Sequence, residues 1–276
     1  MAANIDEANA TGQSIIEEAY ENHRVRNNTQ SVPLAEFGDV KPMSVNYGKL
    51  STETATAFNE TIAQLATDYD TPLTNIRTMT KQEAFGRETV FATTTHDYTS
   101  DTATLIINPI KCKDADTLRV RIVELSEDGY CVKIDPAKAL EYVPTHEFAH
   151  TVLNMEDTLS DKTNWVGANY EAVRAARAEI EPIYERYMAE VEKLTKKAKE
   201  LELQALTAES VEEMDRLGQI AIEAMDAVDA VKLSEYSLTD IDEFLAEAFT
   251  NERIGVNSNS YAQEVMTVIN KYFGRL

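Results

Sequence analysis

Between Asn169 and Leu233 apolar residues return every three or four positions, and a repeat of that period and length admits long helices and little else. Val173, Ala176, Ile180, Ile183, Tyr187, Val191 and Leu194 form one run. Val211, Met214, Leu217, Ala221, Met225, Val228 and Val231 form a second. Ser210 and Glu213 stand three apart at the head of the second run, as in a capping box. The reading is two long antiparallel helices, 169–233, each covering the other's apolar seam. A break is expected at Pro182, which has no N–H to give to a helix. No short sequence repeat accompanies the pattern.

The rest of the chain is mixed. Residues 1 to about 30 read as a polar helix and tail, with Ile15, Ile16 and Ala19 as a short apolar stripe. Asn27 to Lys41, with Pro33 and Gly38, reads as a linker. Ser51 to Asp70 is an amphipathic helix with Ala57, Ile62, Leu65 and Ala66 inward and Ser51 or Thr52 as its cap. Three strands are expected, at Asn75–Met79, Glu88–Thr94 and Ala103–Asn108, the last ended by Pro109. Leu118 to Leu125 fits a helix or a strand equally, and Tyr130 to Ile134 is a short strand candidate. Asp135-Pro136 has the form of an N-cap and first helical position. Pro144 either opens the next helix or kinks one that begins near Pro136.

Charge excludes several roles. With 48 acidic against 26 basic residues the formal net charge is -22, which repels phosphate backbones and anionic membranes alike. Neither nucleic acid nor membrane is therefore an expected partner. No apolar run approaches the roughly 20 residues that span a bilayer. MAANIDEANATGQ lacks the basic-then-apolar profile of a signal peptide, so the expected location is the cytoplasm. Cys112 and Cys131, outside any CxxC pair, read as buried thiols in a reducing compartment, with a single disulfide as the alternative.

His146-Glu147-Phe148-Ala149-His150 carries the chemistry. On a helix, two histidines four apart share a face and can hold one Zn²⁺, while the glutamate between them reaches a water. Such a site needs a third protein ligand. Glu243-Phe244-Leu245-Ala246-Glu247-Ala248-Phe249 has acids at i and i+4 among residues that pack. Glu243 is the expected third ligand, and Glu247, one turn on, is placed to orient a ligand histidine.

HEFAH together with Ser234 to Phe249, SEYSLTDIDEFLAEAF, resembles the gluzincin metallopeptidases of the anthrax-lethal-factor type. It resembles equally the zincin-like domains of phage minor head proteins. In those proteins a tyrosine precedes, by seven residues, a glutamate set in ExxAExF; Tyr236 and Glu243 keep that interval. The resemblance rests on about 30 residues and extends loosely from Ser51 to Gly255. It implies metal ligands His146, His150 and Glu243, a general base Glu147, an oxyanion stabiliser Tyr236 and a supporting acid Glu247. It implies an α+β, zincin-like metallopeptidase domain over 51–276, with a small mixed sheet, an active-site helix and 169–233 as an inserted helical hairpin. Residues 1–50 stand outside it as an N-terminal helix and linker. The insertion is larger than that family's core needs.

The expected activity is zinc-dependent hydrolysis of a peptide or protein substrate. The alternative is a phage virion component that keeps the zincin-like fold with little or no peptidase activity. In either case the hairpin offers contacts within a virion or between copies of the chain. His23 and His96 are solitary, His96 in an expected turn, and neither is assigned a catalytic role. Leu105 to Asn108 reads either as an edge strand that an extended peptide joins or as a core strand.

Overall fold

A computed structural model describes residues 2–29, 43–87, 89–97, 102–153 and 170–275. Most of the expected linker, with Pro33 and Gly38, lies outside the described residues, as does the segment 154–169. The fold is α+β and mostly helical, with one small sheet. In chain order the elements are α1 (Ile5–Thr29), β1 (Ser44–Asn46), α2 (Thr52–Asp68), β2 (Leu73–Thr78), α3 (Lys81–Ala84), β3 (Ala92–Asp97) and β4 (Thr102–Ile107). There follow α4 (Ala115–Glu127), α5 (Ala139–Leu153), α6 (Tyr170–Leu206), α7 (Val211–Val231), α8 (Ile241–Ile254) and α9 (Ser260–Phe273).

The sheet runs β1-β2-β4-β3. β1, β2 and β4 are mutually parallel, with Val45 beside Ile76 and Ile76 beside Leu105. β3 is antiparallel to β4 and forms an edge, with Thr94 opposite Leu105 and His96 opposite Ala103. Leu105 to Ile107 is thus the interior strand; it is paired on both sides and offers no free edge. The two edges are β1 and β3, and β3 starts four residues later than the strand expected at Glu88–Thr94 and ends three later. β3 escapes an apolar-pattern reading because most of it is only half-buried and five of its six residues are polar.

The helices form where their caps and seams dictate. Ser51 caps α2 by accepting from the Thr54 N–H, and Phe58, Ile62 and Leu65 face inward. Asp114 caps α4, accepting from the Thr117 N–H at 2.9 Å. Leu118 and Ile122 are buried there while Val120 is exposed, so the i,i+4 spacing prevails over the alternation. Tyr130–Ile134 forms no strand. Its N–H groups are spent elsewhere: Tyr130 and Cys131 on the Leu125 carbonyl, Val132 on Glu247 Oε2 at 2.7 Å and Ile134 on Ser126 Oγ at 3.0 Å. Only the isolated bridge Ile134–Gly255 remains of a ladder. No described helix is long and apolar enough to cross a membrane.

One core runs through all of this. Phe58, Ile76, Leu105, Phe148, Phe244, Phe249 and Phe273 belong to it, and so do Ala8, Ile16 and Ala19 of α1. A Cβ at Gly12 would meet Asn59 Oδ1 at 2.6 Å and Val45 Cγ1 at 2.9 Å, so a larger residue there would force α1 away from α2 and β1. Cys112 and Cys131 are free and buried.

The long helical pair is divided. Val173, Ala176, Ile180, Ile183, Tyr187 and Val191 of α6 belong to the main core, where α6 packs on α8 and α9. Farther out, Ala198, Ala205 and Ala221 are buried outside that core, where α6 and α7 lie along one another. The break expected at Pro182 is absent. α6 passes through it as one helix, because Ile180 and Ile183 on either side are anchored in the core while Pro182 faces solvent.

Candidate functional site

α5 begins at Ala139 and carries Pro144 inside it, so the HExxH residues occupy its last two turns. His146 is buried against α8, Glu147 is buried beside β3, and His150 is partly open. α8 starts where Asp240 accepts from the N–H groups of Asp242 and Glu243, both at 2.9 Å. That cap sets the first turn of α8, and with it Glu243, across from α5.

His146 Nε2 lies 3.0 Å from Glu243 Oε2, and His150 Nε2 lies 3.4 Å from His146 Nε2 and 3.7 Å from the same carboxylate oxygen. One ligand atom from each of the three residues lies within 4.8 Å of the others, so His146, His150 and Glu243 form a possible metal-binding triad. The other nitrogen of His146 is committed elsewhere. Its Nδ1–H donates to Glu247 Oε1 at 3.1 Å. Glu247 is fully buried and also accepts from the Tyr142 hydroxyl at 2.6 Å and the Val132 N–H at 2.7 Å. Three donors therefore converge on one carboxylate, which in turn fixes the ring of His146.

The electrostatics follow from that crowding. Burial pulls the pKa of His146 down, but the carboxylates of Glu243 and Glu247 outweigh it and raise the imidazole to about 10. Burial also disfavours the Glu243 carboxylate, yet His146 and His150 hold it well below the ordinary range. Glu147 moves the other way: burial raises it, against the pull of His150, His146 and the Thr94 hydroxyl. Burial and the neighbouring Glu243 push the Tyr236 phenol up, so it keeps its proton.

Tyr236 sits in a short 3₁₀ turn, Tyr236–Leu238, just before α8. Its hydroxyl donates to Glu243 Oε1 at 2.8 Å. Its ring stacks between Tyr130 at 5.4 Å and His146 at 5.6 Å. The turn is held from below, where the Tyr187 hydroxyl meets Ser237 Oγ at 2.6 Å and accepts from the Leu233 N–H at 3.2 Å.

β3 closes the other wall. Thr94 Oγ1 donates to Glu147 Oε2 at 2.9 Å, and His96 Nε2 donates to the His150 carbonyl at 3.1 Å. A cleft of about 380 Å³ opens here, lined by Thr94, His96, Glu147, His150, Tyr236 and Glu243. A second cavity of about 440 Å³ adjoins it beyond His146, with Leu125, Tyr130, Tyr142 and Val143 in its wall and Lys111 and Arg121 among its lining residues.

The structure thus brings together all six residues singled out from the sequence: His146, Glu147, His150, Tyr236, Glu243 and Glu247. It adds Thr94, His96, Tyr130 and Tyr142, which the sequence reading left out. Tyr142 is four residues before His146 on the same helix, and that spacing alone would have placed it beside the ring. Thr94 and His96 share one face of a strand that the sequence reading treated partly as a turn. His23 is buried elsewhere, its Nδ1 3.0 Å from Asp70 Oδ2. No protein-family model, curated protein or solved structure matches the chain.

Proposed function

We propose that the protein is a zinc-dependent peptidase with a zincin-like site. One observation carries this: two imidazole nitrogens and a carboxylate oxygen face one point, with the Glu147 carboxylate and the Tyr236 hydroxyl in the same cleft. Zinc–nitrogen distances of about 2.0–2.1 Å give a tetrahedron with edges of roughly 3.3 Å, and the 3.0, 3.4 and 3.7 Å separations bracket that value. Three protein donors at the wall of an open cleft would suit a catalytic zinc better than a structural one.

Zinc held by His146, His150 and Glu243 would supply Lewis acidity toward a carbonyl and its attacking water. The chain's own residues account for the proton movements. Glu147, buried and with raised proton affinity, takes a proton from the water and delivers it to the leaving amine. Thr94 keeps one oxygen of Glu147 fixed, so the other is free for that exchange. Tyr236 retains its proton and donates it as a hydrogen bond to the oxyanion of the tetrahedral intermediate, giving up its bond to Glu243. β3, as the free edge of the sheet beside α5, offers backbone groups to an extended peptide.

The test is metal analysis joined to cleavage of a peptide library. Wild type is expected to carry one zinc per chain and to cleave; Glu147→Gln is expected to keep the zinc and lose cleavage. Zinc near zero after loading would reject the site. Zinc without turnover of any peptide would favour the rival, a zinc-holding phage virion component.

A further inference from the structure

α7 carries two apolar stripes, and the fold uses one. Leu217, Ala221, Ala224, Val228 and Val231 lie on the side that packs along α6. Val211, Met214, Ile222 and Met225 lie on another side and are 70 %, 43 %, 56 % and 45 % exposed. With Gly218 their spacing is three, four, four, three, which keeps them on one face for four turns. Together they expose roughly 400 Å², the size at which an apolar patch on a soluble protein marks an interaction site.

The pattern is a palindrome about Gly218. Val211 and Met225 stand seven residues to either side of it, and Met214 and Ile222 stand four to either side. An antiparallel pairing with a two-fold axis at Gly218 therefore sets Val211 against Met225 of the second copy and Met214 against its Ile222. An isologous contact requires that kind of self-matching and a contact with an unrelated partner does not. Gly218 itself has no reason to be glycine within one chain. It sits mid-helix, where glycine is unfavourable, its φ is not positive, and a Cβ built on it meets nothing within 4 Å. At the crossing point of two helices the missing side chain lets the backbones approach.

We infer that two copies of the chain associate through α7, antiparallel and with Gly218 at the axis. The four side chains from both copies cover roughly 800 Å², below the roughly 1,200 Å² at which stable interfaces begin. The dimer is accordingly a reversible one. Asp215 and Asp226 border the stripe on one side in each copy, so added salt strengthens the association by screening acid from acid.

Sedimentation velocity of the full chain over a concentration series reads the association. Wild type is expected to pass from monomer to dimer, and Met214→Glu/Ile222→Glu to stay monomeric with an unchanged thermal unfolding midpoint. Gly218→Cys places the two new thiols at the axis, and mild oxidation is expected to give a reducible covalent dimer. Glu223→Cys, off the stripe, is the control, and the two natural cysteines are buried. Wild type that stays monomeric at roughly 100 μM, a weak-dimer concentration, would overturn the inference. So would Gly218→Cys cross-linking no faster than Glu223→Cys.

Discussion

Replacing Glu247 by glutamine changes one atom type at a fully buried position and tests how the site prepares His146. Glu247 accepts three hydrogen bonds, from Val132, Tyr142 and His146. Alanine would strand all three donors, at about 1–3 kcal/mol each. That sum rivals the whole stability of a domain, about 5–15 kcal/mol, so alanine reports folding and nothing finer. Glutamine fills the same space. Its oxygen can still take the Val132 N–H, and the amide then turns toward Tyr142 and His146. The Tyr142 hydroxyl can accept from it. His146 Nδ1 must also accept, which leaves the ring's remaining proton on Nε2, the nitrogen that faces Glu243 and His150. A ring in that tautomer cannot ligate until it switches back. Loss of such a supporting partner lowers metal affinity by about 10–100-fold, or about 1.4–2.7 kcal/mol. The assay is competition for zinc against a chromophoric chelator, with unfolding of the metal-free protein measured alongside. Expected is a weaker zinc constant at a nearly unchanged metal-free midpoint. Wild-type zinc affinity, within about twofold, would refute the reasoning about the tautomer.

Other expectations follow from the same geometry. Tyr236→Phe removes one donor from the cleft, and peptide kinetics are expected to show kcat down by roughly 10²-fold with KM little changed. A loss carried by KM alone would make Tyr236 a substrate-binding residue. Replacing 195–222 with a short Gly/Ser linker is expected to leave a folded, zinc-binding protein, as read by circular dichroism and metal content. Removing all of 169–233 is expected to unfold it, because Ile180 and Tyr187 would leave the core. Pro182→Ala restores a helix N–H on an exposed face of α6; thermal unfolding is expected to rise, for a gain of about 1–3 kcal/mol.

The site was more legible in the sequence than the sheet, and the reasons are physical. HEFAH and the acids at 243 and 247 obey the helical period, which brings side chains four apart together whatever surrounds the helix. Only the join between α5 and α8 needed more than local spacing. The sheet depends on pairing across distance. β1 has three residues and no apolar run, and it exists because β2 lies beside it. β3 is polar because one of its faces looks into the cleft, so the pattern that marks a half-buried strand is missing where the strand matters most to the site. Tyr130–Ile134 has the composition of a strand, yet its N–H groups are claimed by the Leu125 carbonyl, Glu247 and Ser126. Pro182 shows the reverse case, a local rule overridden by apolar anchors on both sides.

α6 is one uninterrupted helix of 37 residues, roughly 55 Å from end to end. Midway along it, where the core-packed half ends, the Tyr187 ring lies tilted against Phe244, ring centres 4.7 Å apart, and its hydroxyl touches Ser237. Phe244 adjoins Glu243, and Ser237 adjoins Tyr236. The helix is therefore a lever with its fulcrum beneath the cleft. A tilt of its far tip by a few ångströms is geared down at Tyr187 to a fraction of that distance, which is still the scale on which a ligand carboxylate is in or out of place. A load on the tip would bear, through a rigid arm, on Tyr236 and Glu243, the two residues that line the cleft from the side of α8.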